Sequence, residues 1–175
     1  MTTNNIQKVF SLWLIGPSAS GKTTISKKIY EILSSNYKSL ILLDGDHARK
    51  IFVNESGYDP ISRSKNIHKY VSVISWLNSF GVSTIVAAIN AFEKDRIFCR
   101  KEIKNYKEVF LKCSLDERIK RDKKKLYIPA IKGEKKNVVD VDIPFEKPIN
   151  CEMTVETDKD NPENIAKNII QELKL

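Results

Sequence analysis

Residues 16–23 read Gly16-Pro17-Ser18-Ala19-Ser20-Gly21-Lys22-Thr23, a glycine and four residues followed by Gly-Lys-Thr, which is the spacing of a phosphate-binding loop. The glycines let the backbone wrap so that successive N–H groups point inward, and a helix that follows adds partial positive charge at its N-terminus. Lys22 can reach the outer phosphates of a bound nucleotide, while the Thr23 hydroxyl can ligate magnesium. The flanks fit this reading. Residues 9–15 are a short β-forming run, read as a strand buried on both faces, and residues 22–34 place Ile25, Ile29, Ile32 and Leu33 at helical spacing.

Outward from the loop, strands alternate with helices. Residues 39–44 read as a second buried strand. Ile67, Val71, Ile74, Leu77 and Phe80 share one stripe of a helix over 67–80 that Gly81 ends. Residues 82–89 form a third strand, 96–105 a helix, 107–113 a fourth strand and 153–157 a fifth. Asn161 caps a last helix, with Pro162 at its first position and Ile165, Ile169 and Leu173 recurring behind it. This order predicts an α/β fold, a three-layer sandwich of P-loop NTPase type on a five-stranded parallel sheet, with its site at the carboxyl ends of the strands. Trp13, Trp76 and Phe80 are expected in the core, and His47 and His68 at the surface or hydrogen-bonded.

The 175 residues, 41% hydrophobic and 30% charged, fit one domain over 1–175 and exclude wholesale disorder. No apolar run approaches the ~20 residues of a spanning helix. Residues 1–7 are polar and carry no export pattern, so a cytoplasmic protein with no membrane partner is expected. Cys99, Cys113 and Cys151 lack the spacing of a zinc cage or disulfide framework and are expected as buried or half-buried thiols.

The formal net charge is +8, and its position is informative: residues 94–136 hold 16 Lys and Arg against 7 acids, whereas the rest holds 14 against 15. Few aromatics interleave with this basic run, which argues against a nucleic-acid partner. Lys123, Lys124 and Lys125 fit either a solvated face or a phosphate-handling lid. Residues 114–150, polar and containing Pro129, Pro144 and Pro148, stand apart as that lid.

A phosphate-binding loop serves kinases, GTPases and motor ATPases alike. The second strand ends in Leu43-Asp44-Gly45-Asp46-His47-Ala48-Arg49, so two carboxylates stand beside the loop. One can hold magnesium through water and the other can accept the proton of an attacking hydroxyl, as in-line phosphoryl transfer requires. Asp46 is read as the base, with Lys22 as its catalytic partner at the phosphates. Thr23 and Asp44 are read at the metal, although the residues alone leave open which carboxylate meets it. No Asn-Lys-x-Asp segment reads guanine, and the third strand ends in Ile89-Asn90 with no carboxylate for a water nucleophile. A kinase is the reading that remains.

Beyond the loop, the sequence resembles the adenylylsulfate kinases, which phosphorylate the 3′-hydroxyl of adenosine 5′-phosphosulfate. The matching stretches are Leu43-Asp44-Gly45-Asp46 with Arg49; Gly57-Tyr58 with Pro60, Arg63 and Asn66; Asp95-Arg96 with Arg100; Arg121-Asp122 with Leu126-Tyr127; and Asp142 with Pro144-Phe145-Glu146 and Pro148. The resemblance implies that ATP, with Mg2+, binds along Gly16, Pro17, Ser18, Ala19, Ser20, Gly21, Lys22, Thr23 and Thr24 and against Arg121. It implies an acceptor held by Asp44, Arg49, Arg63, Asn66, Ile89, Asn90, Phe92 and Val138. It also implies a mobile lid over residues 114–140 and a homodimer.

Several positions depart from that family's pattern. Its Ile-Ser-Pro-Tyr or Phe after the third strand is Ile89-Asn90-Ala91-Phe92 here, which rules out a phosphoserine intermediate at that position. Its Phe-Thr-Gly, whose ring stacks on the acceptor base, is Val138-Val139-Asp140; loss of that platform removes about 1–3 kcal/mol of stacking. Its Asp-Pro-Lys-Gly is Asp122-Lys123-Lys124-Lys125, a Lys pair after Tyr127 is Ile128-Pro129, and two Arg after Asn66-Ile67 are His68 and Lys69. The expected activity is therefore an adenylylsulfate kinase with an altered acceptor pocket. The alternative is a kinase of another nucleotide conjugate, as in the cytidine diphosphoramidate kinases of bacterial capsule synthesis. A third reading is a non-catalytic nucleotide- or nucleic-acid-binding regulator.

Overall fold

The structure is a computed structural model that describes residues 8–51 and 57–175; residues 1–7, read above as a polar start, lie outside it with 52–56. Five strands form one parallel sheet: β1 (Ser11–Ile15), β2 (Leu40–Asp44), β3 (Ser83–Ala88), β4 (Tyr106–Lys112) and β5 (Met153–Glu156). Their spatial order is β2-β3-β1-β4-β5, with Leu14 opposite Ala87 on one side and Val109 on the other. The helices are α1 (Lys22–Leu33), α2 (Gly45–Ile51), α3 (Pro60–Ser79), α4 (Glu93–Glu102), α5 (Leu115–Lys120), α6 (Tyr127–Ile131) and α7 (Pro162–Leu173).

The two-residue alternation of β1 builds both cores at once. Leu12 and Leu14 pack with Ile25, Ile29 and Leu33 of α1 and Ile165, Ile169 and Leu173 of α7. Trp13 and Ile15 point the other way, toward Ile67, Tyr70, Val71 and Ile74 of α3 and Cys99 of α4. Helices therefore cover both faces of a sheet whose central strands are fully buried, the predicted three-layer architecture. Ile169 has no exposed surface and sits in the first of these cores. Ile169→Ala is expected to cost about 2–5 kcal/mol, read as a lower denaturation midpoint at an unchanged m-value. No helix among the described residues is long and apolar enough to cross a membrane.

Three expectations need correction. The long helix starts at Pro60, not Ile67: the Asp59 side chain accepts the Ser62 amide as an N-cap and Pro60 takes the first position. Trp76 and Phe80 are not core. The buried stripe of α3 runs through Arg63, Asn66, Ile67, Tyr70, Val71 and Ile74, so Trp76 falls on the opposite face and Phe80 lies past the helix end. Their rings meet edge to face in solvent, 61% and 71% exposed. The helix expected over 96–105 runs instead over Glu93–Glu102, and a short helix, α2, begins directly after β2 at Gly45. A side chain there would press on the Ala87 carbonyl, 3.2 Å from the ideal Cβ position.

The other singled-out side chains fall where they were expected. Trp13 is buried against Tyr106, Cys99 and Cys113 are buried, and Cys151 is half-buried. His68 stacks on Phe98 at the surface.

Candidate active site

A cavity of about 650 Å3 opens at the carboxyl ends of β1, β2 and β3, where all three strands deliver their next residues to one place. The loop after β1 forms its floor. Gly16 adopts φ 149°, and a side chain there would collide with the Leu111 carbonyl at 2.7 Å; Gly21 adopts φ 93° at the start of α1. No side chain caps α1, and its first turn carries no acid, so its positive N-terminus is left to a ligand. Ser18, Ala19, Gly21, Lys22, Thr23 and Thr24 line the cavity, while Gly16, Pro17 and Ser20 shape the loop from behind. The Thr157 hydroxyl braces the loop from β5, donating to the Ser20 carbonyl at 3.0 Å.

Lys22 folds back onto the loop, its Nζ donating to the Pro17 carbonyl at 2.6 Å. Burial pushes its pKa down to about 7, against the pull of Asp44 and Asp46, and nearby Lys124 and Arg118 lower it further. Asp44 is buried and committed at both oxygens: Oδ2 accepts the Thr23 hydroxyl at 2.6 Å and Oδ1 accepts the Asp46 amide at 2.9 Å. The Asp46 carboxylate instead projects into the cavity, 58% exposed, where it pairs with Lys124.

The opposite half of the cavity is built by α3 and the segment after α6. Arg63 is buried on α3, its Nε donating to the Tyr58 carbonyl at 2.7 Å and its Nη2 to the Asn137 carbonyl at 2.9 Å. Burial, with repulsion from Arg49, pulls its pKa down to about 10. Arg49 lies over the Tyr58 ring at 4.6 Å. Asn66 is buried on the wall with its amide nitrogen unpartnered among the described residues, a donor left for a ligand. Ile67, Ile89, Val138 and Val139 complete an aliphatic wall.

Of the residues predicted for the acceptor, Asp44, Arg49, Arg63, Asn66, Ile89 and Val138 line this cavity, but Asn90 and Phe92 do not. Asn90 has no exposed surface and its amide reaches the Cys99 Sγ at 3.6 Å. Phe92 starts α4 and packs with Ala91, Val139 and Ile143. The helix start turns both inward. On the donor side Arg121 does line the cavity, held by Glu117 and Thr157.

The sequence reading leaves Lys123, Lys124 and Lys125 between a solvated face and a phosphate-handling lid, and does not name Lys135 and Lys136 at the site. Lys123, Lys124, Lys135 and Lys136 all line the cavity, so this part of the charge run faces the phosphate loop. Nor does it assign a contact to Tyr127, whose hydroxyl donates to the Ser18 carbonyl of the loop at 2.8 Å. Neither contact has a periodicity that marks it in sequence.

The donor set at Thr23 and Asp44 is hydroxyl and carboxylate oxygen, the type that suits magnesium. Among the described residues no group of three or more His, Cys, Asp or Glu is placed to hold a metal ion.

The sequence model described as adenylylsulphate kinase matches residues 8–156. The chain is 39% identical over 166 residues to the cytidine diphosphoramidate kinase of Campylobacter jejuni, covering 95% of this chain and 97% of that one. It is also 39% identical over 173 residues to the adenylyl-sulfate kinase of Clostridium acetobutylicum, covering 96% and 84%. In fold it is similar to the Mycobacterium tuberculosis APS kinase solved with AMPPNP and APS, with a TM-score of 0.89 at 26% identity over 96% of this chain and 99% of that one. A phosphate-binding loop and two aspartates that share a cleft with Arg49 and Arg63 are thus carried by a phosphotransferase acting on a hydroxyl acceptor, and the chain belongs to the adenylylsulphate kinase family.

Proposed function

We propose that this chain transfers the γ-phosphate of ATP to a ribose hydroxyl of a nucleoside whose 5′-phosphate bears a second anionic group, and that a cytidine diphosphoramidate fits its acceptor wall better than adenosine 5′-phosphosulfate. Both compounds present an anionic tail that Arg49 and Arg63 suit equally; the base distinguishes them. The aliphatic base-side wall carries the choice. Val138 and Val139 stand where the resemblance expects a stacking ring, and Phe92 is buried away from the cavity. A purine gives up more stacking than a pyrimidine at such a wall.

In this mechanism the phosphate-loop amides and Lys22 hold the triphosphate. The acceptor hydroxyl attacks the γ-phosphorus, its proton passes to the Asp46 carboxylate, and the bond to the bridging oxygen breaks to release ADP. Thr23 and Asp44 would hold magnesium, which supplies charge neutralisation at the phosphate oxygens when bound. Adenosine 5′-phosphosulfate remains the second reading, favoured by the family match and by the equal identity to the Clostridium kinase.

Phosphorus NMR of product formation with each acceptor separates the two. The expected result is a kcat/KM higher for cytidine diphosphoramidate by about tenfold, the equivalent of one lost stacking contact. Preference for the adenylyl sulfate overturns this assignment and leaves the second reading.

A further inference from the structure

We propose that Arg118 is a positioning residue that ties the acceptor wall to the phosphate loop, so that the donor nucleotide orders the residues meeting the acceptor. This rests on the reading above of where donor and acceptor bind.

Arg118 lies on α5 with its side chain only 3% exposed, and it does not line the cavity. All three guanidinium nitrogens are nevertheless committed. Nε donates to the Cys113 carbonyl at 3.2 Å, Nη1 to the Tyr127 hydroxyl at 2.8 Å and Nη2 to the Asp140 carboxylate at 2.5 Å. Tyr127 is fully buried and passes its one hydroxyl proton to the Ser18 carbonyl, so toward Arg118 it can only accept. Arginine can only donate. The sequence Arg118, Tyr127, Ser18 therefore has one polarity, and a shift of the Ser18 peptide must stretch it, move Tyr127 or break it.

The other end of the guanidinium holds a compact turn. Asp140 sits at φ 69°, its amide donating to the Ile143 carbonyl at 2.7 Å. The Val138 carbonyl accepts the amides of Val141 and Asp142, while the Asp142 carboxylate accepts those of Asn137 and Val138 at 2.6 Å each. The Asn137 carbonyl in turn receives Arg63. Val138, on the acceptor wall, is thus part of a hydrogen-bonded turn that the Asp140 carboxylate ties to Arg118 of α5. Arg118 is buried while Asp140 is 42% exposed, so loss of the carboxylate leaves the guanidinium as the stranded buried charge. Binding free energy realised at the loop therefore reaches the wall through a contiguous set of hydrogen bonds.

Hydrogen exchange of the full chain, with AMPPNP and magnesium as the probe, tests this without knowledge of the acceptor. In the wild type, the nucleotide should slow amide exchange in the phosphate loop and, by about fivefold or more, across residues 138–143. Tyr127→Phe keeps the ring and removes only the hydroxyl, and Asp140→Asn keeps the shape and removes the charge. In both, loop protection should persist while the ligand-induced slowing at 138–143 falls below about twofold. Wild-type slowing at 138–143 retained in both variants overturns the coupling alone, as does a protected loop with no slowing at 138–143 in the wild type. Absence of loop protection in the wild type overturns the functional reading and the coupling together.

Discussion

Asp46→Asn should lower kcat by about 10²–10⁴-fold, the range expected on removing a positioned general base, while ATP affinity changes little. The geometry makes the division of labour between the two aspartates asymmetric. Asp44 is buried with its oxygens on Thr23 and on the Asp46 amide, which places it to hold magnesium with Thr23 in the proposed mechanism and not to take the acceptor's proton. Asp46, at the start of α2, projects its carboxylate into the cavity, where it pairs with Lys124 from the basic rim. An asparagine there keeps the shape and cannot take the proton. The Asp44→Asn control should behave differently. It disturbs the bond to Thr23, so ATP affinity and turnover should fall together. Steady-state kinetics with ATP titrated at saturating acceptor checks both variants. Turnover of Asp46→Asn within about threefold of wild type would remove Asp46 from the chemistry.

The parts of this site legible in sequence are those written in local spacing. The phosphate loop is legible because its glycines must sit at fixed offsets for the backbone to wrap. The central strands are legible because a sheet covered on both faces leaves uninterrupted apolar runs at Leu12–Ile15 and Ile85–Ala88. The start of α3 was legible in principle, since Asp59-Pro60 is a capping signal, but the apolar stripe begins later because Arg63 and Asn66 occupy its first buried positions. Polar residues turned toward a ligand interrupt the periodicity that marks a helix. Trp76 and Phe80 mislead for the opposite reason: large apolar side chains are weighted toward the core whichever face they occupy. The link from Ser18 through Tyr127 and Arg118 to Asp140 joins residues far apart in the chain, and only the tertiary structure brings them together.

Lys22 supplies the other large effect, and its sign follows from burial. The Lys22 pKa is lowered to about 7, because burial disfavours the ammonium more than Asp44 and Asp46 support it. In the unfolded chain a lysine keeps its proton to about pH 10.4, so between these values the unfolded state binds more protons and the stability of the empty protein rises with pH. A bound triphosphate reverses the balance at the site, since its oxygens favour the ammonium and draw Lys22 away from the Pro17 carbonyl. Binding should therefore take up about 0.9 proton at pH 8 and about 0.1 at pH 6, the fractions expected for a group titrating near 7. Calorimetry of magnesium-complexed ATP without acceptor, in two buffers of different ionisation enthalpy, reads this directly. Lys22→Met should abolish the uptake and lower kcat by about 10²–10³-fold, as loss of a positioned cation at the transferring phosphoryl group predicts. Proton uptake near zero at both pH 6 and pH 8 would mean that Lys22 is already charged before the nucleotide binds. In that case its bond to Pro17, rather than its proton, would be what the nucleotide has to displace.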